Sequence, residues 1–304
     1  MIANFTSLFD LFEAFPDEQA CLDHLRSIRW RDGEFCPHCG GTRVYHFSDK
    51  KTFKCGDCRQ RFSIKVGTIF HDTKLPLRKW FMAICLITNH KKGIASTTLA
   101  RDLKITQKSA WHVLHRLRHA ARTQSFNAPL DQPVETDETY VGGKEKNKHA
   151  NKRIPGSQGG ANKAVVLGIL ERGGELRAEV VLDTTARTVQ GVIRKNVKPG
   201  SVVITDEHRS YKGLGDDYLH VSVNHSAGEY VVDKLIHTNS IESVWALLKR
   251  QIVGIHHFVS PKHLSRYVDE MSWRFNRRDL EAADRMNDLF GCLEGRLTWK
   301  ALTA

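Results

Sequence analysis

Apolar residues recur with two different periods along this chain, and the switch between them divides it. Phe5, Leu8, Phe9 and Phe12 fall at helical spacing. After Leu75-Pro76, the stretch Leu77 to Asn89 reads as a buried helix. Its core, Trp80 to Ile87, is the longest unbroken apolar run, far short of the roughly 20 residues that span a bilayer. Ser96 to Leu103 reads as a short helix capped by Ser96, and Thr106 to Arg122 as a longer one capped by Thr106. Trp111, Leu114 and Leu117 form the expected inner stripe of the longer helix. Ser125 to Pro133, with Asn127 and two prolines, reads as a linker. Beyond it the pattern turns to strands: Val134 to Val141, Ala164 to Leu170, Arg177 to Leu182, Ser201 to Thr205 and Leu219 to Val223. A helical stretch, Thr188 to Asn196, interrupts the strands, and helices Asn239 to Gln251 and Pro261 to Asn276 follow them.

Charge sharpens this division. The 304 residues carry 46 Lys plus Arg against 34 Asp plus Glu, net +12, with 40% hydrophobic residues, which is enough apolar content to fill more than one core. Residues 1–30 sum to −3, 31–130 to +13 and 131–304 to +2, so the cation is concentrated in one segment. A field of that sign suits a polyanion, because each neutralised phosphate releases a condensed counterion. The first basic residue is Arg26, so the start lacks the basic region of an export signal, and a cytoplasmic, nucleoid-associated protein with no membrane partner is expected.

Seven cysteines, an odd number without an export signal, argue against a disulfide framework. Four of them form two C-x2-C knuckles, Cys36-Pro37-His38-Cys39 and Cys55-Gly56-Asp57-Cys58, separated by fifteen residues. That spacing predicts a zinc ribbon, with Cys36, Cys39, Cys55 and Cys58 holding a structural Zn²⁺ whose four positions are all taken by protein sulfur. Cys21, Cys85 and Cys292 lie on apolar stretches and are expected in cores.

Within the basic segment, the short break Lys104-Ile105-Thr106 between two helices predicts a helix-turn-helix. Lys108, His112, His115, Arg116, Arg118 and Arg122 on the second helix have the layout of a major-groove reader. Lys108, His112 and Arg116 are the expected double-stranded-DNA contacts. The order of elements after Pro133 is that of a ribonuclease-H-like α/β sheet. Three acids stand at informative places in it: Asp137 within the first strand, Asp206 at the tip of the fourth, and Glu242, separated from Asp206 by thirty-five residues, in the first turn of a helix. Gathered carboxylates repel one another unless divalent cations favour the ionised form, and oxygen ligands suit Mg²⁺ or Mn²⁺. Glu135 shares a strand face with Asp137 and stands as its understudy, whereas Glu138 points the other way. Gly156 to Lys163 lacks the ending of a nucleotide-binding loop and precedes a strand, so no nucleotide cofactor is expected. With Lys144, Lys146, Lys148, Lys152 and Arg153 it reads as a basic loop. Arg274, Arg277 and Arg278 suit either phosphate contact or capping of the last helix.

Val134 to Gly143, Thr205 to Tyr211, His237 to Ser243 and Arg274 to Arg278, taken with the zinc knuckles and Leu77 to Arg122, resemble the ISXO-like insertion-sequence transposases of the DDE class, the family numbered fifteen ninety-five. The resemblance implies that Asp137, Asp206 and Glu242 are the catalytic, metal-binding triad, served by two Mg²⁺ or Mn²⁺ ions. It implies that Lys249, seven residues after Glu242 on the same helix face, contacts DNA, with Arg250 beside it. The expected protein binds the terminal inverted repeats of its element and target DNA as a homo-oligomer, and cuts and rejoins strands. The alternative is a DNA-binding regulator with an idle catalytic domain. The expected division is an N-terminal helical segment (1–30), a zinc ribbon (31–70), a helix-turn-helix domain (75–124), a ribonuclease-H-like domain (131–280) and a C-terminal tail (281–304).

Overall fold

The computed structural model describes residues 7–122, 128–143, 147–154, 162–223 and 237–304. The chain forms two compact units, residues 1–124 together with 279–304, and residues 125–278. Among the described residues, no helix is long and apolar enough to cross a membrane.

The first unit opens with helices α1 (Leu8–Ala14) and α2 (Glu18–Arg29). Both begin on local caps: Ser7 accepts from the Asp10 amide, and Asp17 from that of Ala20. A three-stranded antiparallel sheet follows, β1 (Val44–His46), β2 (Thr52–Cys55) and β3 (Arg61–Ser63). Its inner face buries Phe53 and Phe62. Helices α3 (Leu77–Asn89), α4 (Ser96–Asp102) and α5 (Gln107–Arg122) come next, with the boundaries the apolar period predicts to within a residue. Thr106 caps α5 by accepting from the Ser109 amide. Ser96 does not cap α4: it is already helical, and its hydroxyl accepts instead from the Gln107 side chain at 2.8 Å. The turn between α4 and α5 places Lys104 at φ 49°, a left-handed conformation that costs a non-glycine residue about 1 kcal/mol.

Residues 279–304 are not a detached tail but part of this unit. Helix α9 (Ala282–Phe290) packs on α3, and Phe290 closes an aromatic cluster with Phe81, His24 and Phe15. The strand-like segment after it bonds back to the ribbon's end, Ile69 N–H to the Leu293 carbonyl at 2.9 Å and Gly295 N–H to that of Gly67 at 2.8 Å. Helix α10 (Trp299–Thr303) ends the chain.

The second unit is a five-stranded mixed sheet in the order β6-β5-β4-β7-β8. Strands β4 (Val134–Val141), β5 (Ala164–Glu171) and β6 (Leu176–Val181) are antiparallel; β7 (Val202–Thr205) and β8 (Leu219–Ser222) continue parallel to β4. Strand β5 is apolar at nearly every position because both its faces are covered. Val166 and Leu170 join the core beneath α7 (Asn239–Gln251) and α8 (Pro261–Asn276), while Leu167 and Ile169 join the core beneath α6 (Ala186–Asn196). The expected linker residues 125–127, the basic-loop residues Lys144 and Lys146, and Gly156 to Ala161 lie outside the described residues.

Candidate active site and metal centre

Strand β4 sits at the centre of the sheet and, by its period of two, sends Glu135 and Asp137 toward α7 and Glu138 toward α6. Val134 pairs with Val203 and Glu135 with Ile204 in parallel register. Extending that register places Asp206, just beyond the end of β7, level with Asp137. Asp206 is held in a side-chain turn, its Oδ1 accepting from the His208 amide at 2.9 Å. Glu242 lies in the first turn of α7 and is exposed.

Asp137 is tied to α7 by the Trp245 indole N–H, which donates to its Oδ2 at 2.9 Å. That contact needs Gly168, the partner of Asp137 on β5. A Cβ there would meet Trp245 Cη2 at 2.5 Å and Cζ2 at 2.7 Å, so only glycine admits the ring against the sheet. Burial pushes the Asp137 carboxyl up to about 6, with Asp206 and Glu242 adding to the rise by repulsion. Asp206 and Glu242 are therefore each within electrostatic reach of Asp137. They are not drawn tightly together: among the described residues, the four cysteines are the group of His, Cys, Asp or Glu donors that closes within 4.8 Å.

A fourth carboxylate, Glu138, lies within electrostatic reach of Asp137 and Asp206. Burial pushes Glu138 up to about 7, with Asp206 and Asp137 contributing. It faces Tyr211, whose hydroxyl is raised well above its ordinary value by burial and then by Glu138. The strand period hides this residue, because its carboxylate lies on the other face and only the tip of the neighbouring strand brings Asp206 to it.

Glu135 is not an understudy for Asp137. It is fully buried, and its carboxylate accepts from Ser240 N–H (3.0 Å), Ile241 N–H (3.1 Å), Ser240 Oγ (3.0 Å) and Arg172 Nε (3.1 Å). With every lone pair engaged by the protein it has none to spare for a metal. Lys249 and Arg250 are exposed in the last turn of α7, where they complement the helix dipole.

Helix α5 departs further from expectation. Lys108 and Arg122 are exposed and His112 half-buried, but His115, Arg116 and Arg118 are buried, with 0%, 6% and 1% of their surface exposed. Arg116 donates to the carbonyls of Ile69 (2.8 Å), His71 (3.0 Å) and Leu297 (3.0 Å). It is a core brace and cannot reach a base edge. His112 packs edge-on to Trp299, with its pKa lowered, first by burial and then by Arg116. Lys108 lies over the same ring, its Nζ 4.7 Å from the centroid. Arg274 is likewise buried, bonded to Glu270 and to Gln251 Oε1, which removes it from the phosphate candidates. Arg278 donates to the Phe275 carbonyl at 2.9 Å and caps the end of α8.

The four knuckle cysteines converge. Cys36 and Cys58 sulfurs are 3.7 Å apart and those of Cys39 and Cys55 3.6 Å, close to the ~3.8 Å edge of a tetrahedron with the usual Zn–S bonds. Backbone amides of His38 and Asp57 donate to Cys36 and Cys55 sulfur at 3.4 and 3.3 Å, which favours thiolates. The donor set fits Zn²⁺ with no open position. Cys21 and Cys85 are core residues, and Cys292 is half-buried.

The chain matches the family of the ISXO2-like transposase domain over residues 129–276 and that of the transposase zinc-ribbon domain over residues 16–61. It is 28% identical over 273 residues, 84% of its length, to 90% of an uncharacterized protein in transposable element ISH50 of Halobacterium salinarum. It is also 31% identical over 104 residues, 34% of its length, to 82% of an uncharacterized transposase-like protein of Haemophilus influenzae. Among solved structures, a pre-cleavage Mos1 transpososome aligns at 12% identity over 69% of this chain and 77% of that one, with a TM-score of 0.28. With its zinc ribbon ahead of its transposase domain, the chain belongs to the ISXO2-like transposases of the DDE class, the family numbered fifteen ninety-five.

Proposed function

We propose that this transposase cuts and joins DNA strands at a centre formed by Asp137, Asp206 and Glu242 on a ribonuclease-H-like sheet. The observation that supports the reading is the parallel register of β4 and β7, whose extension by two residues pairs Asp137 with Asp206, together with Glu242 in the first turn of the helix that Trp245 ties to Asp137. Repulsion among those carboxylates leaves them wanting a cation, and their hard oxygens fit Mg²⁺ or Mn²⁺ better than softer metals. Two such ions, when bound, would activate the attacking oxygen and stabilise the leaving one. The chain's own residues do the positioning. Trp245 fixes the rotamer of Asp137. The His208 amide fixes that of Asp206. Glu242 is exposed in the first turn of α7, so the placement of that helix on the sheet governs how closely it approaches the other two. Lys249 and Arg250, further along the same helix, place a phosphate of the strand being cut.

The zinc ribbon and the α4–α5 pair bind the element's ends, with α5 working as the second helix of a helix-turn-helix. Lys108, near its start, is the contact in reach of DNA, and homo-oligomers on DNA would bring two ends together.

The test is D206N. Asparagine retains an Oδ1 that accepts from His208, so the turn and the fold survive, but the negative charge is lost. End-DNA cleavage in Mg²⁺ is expected to vanish while end-DNA binding in a mobility-shift assay is retained. Unchanged cleavage would remove Asp206 from the centre.

A further inference from the structure

Helix α7 carries Glu242 in its first turn but has no cap of its own. Its N-cap residue, Thr238, sits at φ −112°, ψ 14° and makes no side-chain capping bond. The amides that such a cap would satisfy are those of the second and third helical residues, here Ser240 and Ile241. Both donate instead to Glu135 Oε2, at 3.0 and 3.1 Å. Ser240 Oγ and Arg172 Nε complete the carboxylate through Oε1, and Arg172 also grips the chain ahead of the helix at the His237 carbonyl, 3.0 Å. The cap of α7 therefore comes from the central strand, two residues before Asp137. A local cap would stabilise the helix wherever it lay. This one moors the helix to the strand, so that the residue bearing the third acid is held in fixed register with the residue bearing the first.

We propose that Glu135 is a positioning residue of the catalytic centre: it sets the approach of Glu242 to Asp137 by capping α7 from β4. It touches neither substrate nor metal and acts through the helix. The proposal rests on the reading of Asp137, Asp206 and Glu242 as the metal-holding triad. Misplacing a reacting group by about 1 Å can cost on the order of 100-fold in rate, and loss of a group that orients a ligand costs roughly 10- to 100-fold in metal affinity.

The experiment uses the zinc-loaded full chain and separates capping from mooring. E135Q is compared with E135Q carrying a second substitution, Thr238→Asp, which gives α7 a local carboxylate cap. Three quantities are read: the thermal midpoint, Mn²⁺ affinity by electron paramagnetic resonance, and strand cleavage. In E135Q all three are expected to fall, Mn²⁺ affinity by about tenfold or more. In the double variant the thermal midpoint should return while Mn²⁺ affinity and cleavage stay low, with the Km for end DNA unchanged. Recovery of all three by the local cap would reduce Glu135 to an ordinary helix cap and overturn the proposal, as would wild-type Mn²⁺ affinity in E135Q itself. D206N serves as the control: Mn²⁺ binding that survives it would overturn the triad assignment, and the proposal with it.

Discussion

At the scale of single residues, chemistry was easier to read than surroundings. Asp137 and Asp206 stand where a strand interior and a strand tip make a carboxylate conspicuous, and both belong to the proposed centre. Glu135 shares the expected face with Asp137, but its role depends on Ser240, Ile241 and Arg172, residues that no local period connects to it. The basic residues of α5 misled in the opposite way. Positive side chains at helical spacing resemble a solvated stripe, yet Arg116 is consumed by carbonyls from residues 69, 71 and 297. The two cations of this helix should therefore separate cleanly on substitution. Arg116→Ala removes a donor from three carbonyls inside the core and should cost about 2–4 kcal/mol in chemical denaturation. Its effect on the salt dependence of DNA binding should be nil for the molecules that remain folded. Lys108→Ala loses only a cation–π contact with Trp299, under about 1 kcal/mol, and should reduce the slope of log affinity against log salt by about 1. A salt slope altered by the Arg116 change and untouched by the Lys108 change would reverse the assignment.

At the scale of elements, legibility followed the kind of signal. Strands β4 to β8 and helices α3 to α8 lie within a residue or two of where alternation and helical period predict them, because all of them except the edge strand β8 have a face that is buried. The knuckles were legible because four thiolates at that spacing have few other uses. What the elements pack against was not. Helix α2 shows this through His24, a buried histidine boxed by Phe15, Phe81 and Phe290. Burial lowers its pKa from 6.5 to about 4. The unfolded chain therefore takes up the proton first as pH falls, binding more protons than the folded chain between those values, so stability rises with pH across that window. The stabilisation is fully present above 6.5 and is lost as pH falls toward 4. His24→Phe should flatten that part of the pH–stability curve, measured by denaturation at a series of pH values. An undiminished slope in the variant would place the acid sensitivity elsewhere.

At the scale of the whole chain, the sequence order conceals a closure. Residues after 280 follow the last expected helix and carry no motif, which is how a tail reads. Yet Leu289, Phe290, Leu293, Leu297 and Leu302 are each buried at 4% or less, and they cover α3, α5 and the end of the ribbon. The chain leaves the first unit at about residue 124 and returns to it at 279, so part of that unit's core is made only after the whole second unit has been synthesised. Periodicity is blind to such a return, because its window is a few turns and the contact spans some 180 residues, as between Arg116 and Leu297. The energetic consequence is large. Five buried apolar side chains at roughly 1.5–3 kcal/mol each amount to about 10 kcal/mol, comparable with the 5–15 kcal/mol that holds a typical domain together. Deleting residues 281–304 should therefore unfold the first unit. The near-ultraviolet dichroism of its buried aromatics should collapse, and the four-cysteine site should lose its protection from chelators, because metal retention and folding are linked. If the truncated chain instead keeps its metal against a chelator and melts at the wild-type temperature, these residues are a tail after all, and the core they fill must close without them.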